Sequence, residues 1–260
     1  WMTKSIERAQ KRVEENNFGV RKRLLEYDDV MNAQREVVYK RRRHALHGDR
    51  LKIDIANMIF DVCDFCVEGN KVGNDFKNFE YSLIKHFGIQ SPFTADQFAK
   101  SSDVELTDKL YEFVFKKYEE KCKNTAVEAL KVITNVYENN ANQFERMVVP
   151  FTDGVKNINV VTNLEKAYQT EGKSLITDFE KNITLAIVDE AWKKHLRKMD
   201  ELKQSVQLAV HEQKDPLLIY KFEAFNLFKL TMNSINADVV SFLMKADLPV
   251  QNTEEVSQEA

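Results

Sequence analysis

Residues 3–46 contain no proline and a single glycine, Gly19. Ile6, Val13, Val20 and Tyr27 recur at seven-residue steps, and Leu24, Met31, Val38 and Ala45 form a second track at the same step. The tracks are offset by three or four residues, so both fall on one face of a long helix. About 44 residues at ~1.5 Å each give a rod of roughly 65 Å. Such a rod is too long for the interior of a compact small domain; it bridges several units or pairs with another long helix. Gln10, Asn17 and Gln34 interrupt the tracks. A pure coiled coil tolerates few such residues, so the face is expected to meet several different surfaces.

The rest of the chain is also read as mainly helical. With 7 Gly, 4 Pro and 30% charged residues among 260, the composition suits long helices and neither a β-sandwich nor a disordered chain. Gly48-Asp49 is expected to end the rod, and Leu51 to Val67 to form a second helix stopped by Glu68-Gly69-Asn70. Residues 75–87, 94–100 and 103–138 carry further helical patterns. Met147 to Val161 instead holds β-branched runs on either side of Asp153-Gly154, a hairpin signal because glycine permits positive φ in a tight turn. Short helical patterns return at 163–170 and 174–181.

From Asn182 the long patterns resume. Leu185, Val188, Trp192, Leu196, Met199, Leu202 and Val206 step by three or four. A second stripe reads Leu218, Phe222, Phe225, Phe228, Met232, Ile235, Val239 and Phe242, and its helical spacing favours core over a ligand box. Asp215 is a good N-cap acceptor, and Pro216 suits a first helical turn where its missing N–H goes unmissed. The expectation is two antiparallel helices of about 25 residues, each roughly 40 Å long, with the loop at 208–215 as their far end. The tail after Pro249 is expected to be disordered.

Chemical motifs are sparse. Cys63-Asp64-Phe65-Cys66 is a CxxC without the second pair a structural zinc site needs and without the βαβ setting of a thioredoxin motif, so two inert thiols on a helix are expected. The third cysteine is Cys122. An odd, sparse set fits a reducing compartment. His44 and His47 stand at i, i+3, a metal half-site at most, and are expected at a solvated helix end. His195 adjoins the apolar stripe and is expected to be partly buried and hydrogen-bonded. No GxxxxGK[ST] or GxGxxG occurs, so neither familiar phosphate cradle is present.

Charge is uneven. Residues 1–50 carry 13 Lys/Arg against 8 Asp/Glu, residues 51–181 carry 16 against 21, and residues 182–250 balance at 9 against 9. The basic and acidic segments either meet within one molecule or face different partners. Tyr39 to His44, "YKRRRH", would touch phosphate or anionic lipid, but a solvated face opposite an acidic neighbour is preferred. A net charge of -3 argues against nucleic acid. No apolar run approaches the ~18–20 residues of a membrane span. The opening Trp1-Met2-Thr3 is expected to mark a piece of a longer protein.

Three stretches carry a family resemblance. Ala9 to Tyr39, "AQKRVEENNFGVRKRLLEYDDVMNAQREVVY", resembles the long scaffold helix of the SecA family of bacterial preprotein translocase ATPases. "DEAWKKHLRKMDELKQSVQL" and "QKDPLLIYKFEAFNLF" resemble that family's two-helix finger, in the same order and separation. Together they cover roughly 100 of 260 positions.

The resemblance implies a division into a long scaffold helix (1–49), a helical wing (50–181, with an inserted segment at 148–181), a two-helix finger (182–246) and a tail (247–260). It implies no catalytic, cofactor or metal residue in this chain, with ATP and Mg bound by motor domains upstream. Val210, His211, Glu212, Gln213 and Lys214 would form the finger tip, touching the SecY channel and the translocating preprotein, with Asp215 and Pro216 capping the finger's second helix. The chain would act in the cytoplasm and peripherally on the cytoplasmic face of the inner membrane, against an anionic surface. Stripped of its neighbours, the long helix would be able to pair with a second copy as a homodimer. His211 stands where the family commonly has tyrosine, and Ala209 and Val210 stand where it often has arginine. The competing reading is a purely structural scaffold with a passive turn at 208–215.

Overall fold

The structure, a computed structural model, describes residues 1–48, 50–140, 144–206 and 215–249. Among these are eight helices and one two-stranded antiparallel sheet: α1 (Met2–His47), α2 (Leu51–Lys71), α3 (Phe76–Phe87), α4 (Ala95–Lys100), α5 (Asp103–Asn140), β1 (Arg146–Thr152), β2 (Asn157–Asn163), α6 (Leu164–Gln169), α7 (Lys173–Ser205) and α8 (Pro216–Lys245). The mainly α class with a small hairpin is as expected. The chain divides into two compact units, one of residues 1–41 and 190–232, the other of residues 42–189 and 233–260.

The first unit is built from α1, the second half of α7 and the first half of α8. Its core is Met199, Val206, Tyr220 and Ala224, with Tyr27, Val30, Met31, Leu202, Ile219 and Leu227 packed against it. The Tyr27 and Tyr220 rings lie 4.8 Å apart. The heptad tracks of α1 divide sharply. Ile6, Val13, Val20 and Leu24 are more than half exposed, whereas Val38 and Ala45 are buried.

Two helix boundaries differ from expectation. Helix α7 is continuous from Lys173 to Ser205, with no break near residue 181. Asn182 does not interrupt it because its side-chain amide donates to the Asp178 carbonyl of its own helix, 2.7 Å away. Helices α7 and α8 have 33 and 30 residues rather than about 25. Helix α2 runs through Glu68-Gly69-Asn70 to Lys71. There Asn70 is buried, and its amide donates to the Cys66 carbonyl at 2.7 Å, so a residue that usually favours turns is satisfied inside the helix.

The second unit has the larger apolar core. Helix α2 packs on α3 and α5, and Phe79 is fully buried with its ring 4.6 Å from Phe98. Its helix starts are closed locally: Asp75 accepts from Asn78 N–H, Thr94 and Gln97 form a reciprocal capping box, and Asn163 accepts from Lys166 N–H. Strands β1 and β2 pair from Arg146↔Asn163 to Thr152↔Asn157. In the turn between them Gly154 takes φ +87°, and the Asp153 carboxylate accepts from the Val155 and Lys156 N–H groups. The Phe151 and Phe179 rings stack at 4.2 Å, fixing the hairpin on α7. Gly172, at φ +80°, comes so close to α5 that a Cβ would stand 2.6 Å from the Ala126 carbonyl oxygen.

The outer edge of β1 is closed by sequence chemistry. Thr152 and Asp247 exchange both backbone hydrogen bonds in a single antiparallel bridge. In the same register the next hydrogen-bonded pair would be Pro150 and Pro249. Neither has an N–H to donate, so the ladder stops after one rung.

Candidate functional site

The candidate site is the pair α7–α8 where it is held against α1 in the first unit. Three side chains on three helices form one buried polar connection. His195 Nε2 lies 2.8 Å from Gln34 Oε1, and Gln34 Nε2 donates to the Ala224 carbonyl at 3.0 Å. A backbone carbonyl only accepts, which orients the Gln34 amide, and its oxygen then requires the hydrogen on His195 Nε2. His195 Nδ1 is then an acceptor facing the Thr231 hydroxyl 3.0 Å away, whose single hydrogen is shared between it and the Leu227 carbonyl at 2.8 Å. Burial, and then the Lys198 charge, hold the His195 pKa below its usual range. The ring is therefore a neutral structural link and not a proton carrier near pH 7. Gln34, read from sequence as an interruption of an apolar track, is instead the polar key of the helix contact.

Farther along the hairpin the contacts become aromatic and charged. The Lys203 ammonium lies 5.7 Å from the centre of the Tyr27 ring and 3.9 Å from an Asp28 carboxylate oxygen. Burial pushes the Tyr220 hydroxyl up to about 12. Helix α8 opens on Pro216, and the Asp215 carboxylate accepts from Leu217 N–H at 3.0 Å. The expected tip residues Val210, His211, Glu212, Gln213 and Lys214 lie outside the described residues, as does the tail from 250 to 260.

The stripe expected to be core along α8 divides as α1 does. Ile235, Val239 and Phe242 are buried, but Leu218, Phe222 and Phe225 are each about two-thirds exposed. The buried positions of the first half are Tyr220 and Ala224. The register is thus rotated from the reading made on hydrophobicity alone: Leu218, Phe222 and Phe225 face outward, and Tyr220 and Ala224, flanked by Ile219 and Leu227, face the contact.

The other candidate motifs resolve as structure. Cys63 and Cys66 are fully buried; burial raises both thiols, Cys66 to about 12, which leaves them protonated and inert. His44 is not at a solvated end: its Nδ1 lies 2.8 Å from an Asp54 carboxylate oxygen and it is partly buried. His47 is exposed. Among the described residues no group of three or more His, Cys, Asp or Glu side chains is placed to hold a metal ion. In the basic run, Arg42 makes a two-pronged contact with Asp189 at 2.9 and 3.3 Å, the acidic neighbour expected for it. Sequence reasoning missed one buried acid, Glu180, whose Oε1 accepts from the Tyr118 hydroxyl at 2.7 Å. Its spacing within α7 carries no signal that separates it from exposed acids.

These features define a class: a helical scaffold in which a long helix braces a two-helix hairpin, joined to a larger helical unit. The chain belongs to the SecA Wing and Scaffold domain family, whose pattern it matches over residues 1–247. The protein translocase subunit SecA of Flavobacterium psychrophilum is 69% identical over 259 residues, covering 99% of this chain and 23% of that protein. The same-named protein of Christiangramia forsetii is 64% identical over 248 residues, 95% of this chain and 22% of that protein. That of Bacteroides fragilis is 47% identical over 259 residues. This chain spans less than a quarter of the length of these relatives. The family match runs through 148–181, the stretch read from sequence as an insertion.

Proposed function

We propose that this chain is the non-catalytic scaffold and two-helix finger of a larger ATP-driven protein-export motor. The observation that carries the reading is the brace: His195 on α7 and Ala224 on α8 are both tied to Gln34 on α1, so the hairpin is held at mid-length by a rigid third helix. A hairpin so held transmits displacement along its axis without splaying. Asp215 and Pro216 start the return helix sharply. Val210, His211, Glu212, Gln213 and Lys214 then form the tip that meets the SecY channel and the translocating preprotein.

In this reading ATP and Mg are bound by motor domains elsewhere in the parent protein, and those domains cover the exposed half of α1. The parent works from the cytoplasmic face of the inner membrane. No described helix is long and apolar enough to cross a membrane, which suits peripheral attachment. The test is a photo-crosslinker at position 211 of the full-length protein, with a preprotein arrested in the channel. Strong crosslinks to the preprotein or the channel are expected. Background crosslinks alone would favour a passive turn at 208–215. His211→Gly is expected to impair translocation while leaving nucleotide binding intact, and the isolated 260-residue chain to hydrolyse no ATP.

A further inference from the structure

The second unit contains a cavity of about 460 Å³ between α2, α5 and the start of α7. That is within the range of small-molecule sites. Its walls are mostly hydrocarbon, from Ile55, Phe115, Leu130 and Ile176. One buried charge-bearing group, Glu180, also lines it. Glu180 is 5% exposed. Its Oε1 takes the Tyr118 hydroxyl, while Oε2 is buried with no hydrogen-bond partner among the described residues. Burial raises the Glu180 carboxyl above its usual range, while the Tyr118 hydroxyl and Lys52, on the same wall, pull it back toward ionisation.

We propose that this cavity binds a small hydrophobic amine, its ammonium donating to Glu180 Oε2 and its apolar body lying along Ile55, Phe115 and Leu130. An ammonium beside the buried carboxyl favours its ionised form, whose oxygen only accepts, and a positively charged donor makes the stronger bond there. The hydrocarbon walls select against a hydrated ion and for an alkyl or aryl stem. Tyr118 orients the carboxyl by occupying the other oxygen, which leaves one acceptor for the ligand. The exposed lysines at the cavity, Lys52, Lys123 and Lys173, are matched in number by Glu119, Glu171 and Glu180, so the wall carries no net charge that would repel a cation.

The test uses the 260-residue chain with 4-phenylbutylamine, compared by calorimetry with the neutral isostere 4-phenylbutan-1-ol. The amine is expected to bind at least about tenfold tighter than the alcohol, the difference a charge-assisted bond makes. Glu180→Gln, which retains an acceptor for Tyr118, is expected to bring the two within about twofold, chiefly by weakening the amine. Bound amine is also expected to slow alkylation of Cys122, which lies on the cavity wall, whereas Cys63 and Cys66 are fully buried. Equal binding of amine and alcohol, or no detectable binding of either at millimolar concentration, would overturn the proposal. So would unchanged Cys122 alkylation with the amine bound, which would place the ligand elsewhere. The comparison of the two ligands on the unaltered chain stands even if the variant does not fold.

Discussion

The two units solve the problem of holding helices together in opposite ways. The second unit does it with rings and aliphatic side chains: Phe79, Phe87, Phe98, Phe151 and Phe242 are all at most 2% exposed. The first unit buries fewer apolar side chains, Val38, Trp192, Met199, Val206, Tyr220 and Ala224 among the described residues, and adds a polar connection through His195, Gln34 and Thr231. It meanwhile leaves Ile6, Val13, Val20, Phe222 and Phe225 in the open. An apolar core gives stability without direction, while a hydrogen-bonded contact gives registry. The difference teaches that one unit can stand on its own burial, whereas the other is a precisely aligned brace with apolar faces to spare for neighbours.

The largest effect that would test this contrast is in the second unit. Phe79→Ala is expected to cost about 3–5 kcal/mol in urea unfolding, because a fully buried ring leaves a cavity. A loss below 1 kcal/mol would mean the aromatic core is not what holds this unit.

Next comes the polar brace. His195→Leu strands the Gln34 oxygen, and about 1–3 kcal/mol should be lost. Gln34→Leu combined with His195→Leu should restore most of it, because neither partner is then left alone; a double-mutant cycle measures this directly. The same link predicts a pH effect. The folded state holds the His195 pKa below that of the unfolded chain, so the unfolded state takes up a proton first on acidification. Stability should therefore fall as pH drops below about 6.5, and by less in the His195→Leu variant. An identical pH profile in both would remove His195 from the account.

A smaller change is expected at the hairpin's return. Asp215→Ala should cost about 1 kcal/mol by freeing the Leu217 N–H, read as loss of helicity or of thermal stability. The smallest is Phe222→Ala, expected within about 0.5 kcal/mol for the isolated chain because the ring is exposed. In the full-length protein the same change should cost more if a neighbouring domain covers that face. Equal effects in both settings would show that the face stays open.

Much of the fold was legible because its signals are local. The absence of proline across α1, the Asp153-Gly154 turn and the Asp215-Pro216 start each act within a few residues of chain. Burial was legible only where the helical stripe and the contact face coincide, as at Ile235, Val239 and Phe242. It failed at Leu218, Phe222 and Phe225 because a stripe of large apolar side chains shows that a helix has an apolar face, not that this chain supplies the cover. The buried Glu180 was invisible for the same reason: nothing in the spacing of an acid states what packs against it.

The sequence by itself determined the helices, the hairpin turn and the family, since propensity, capping and a long matching pattern are properties of the string. Only the tertiary structure decided that Gln34 and His195 are partners 161 residues apart, that His44 meets Asp54, and that part of each apolar stripe is left uncovered. Those outcomes depend on how distant helices are rotated and set against one another, which no local spacing records.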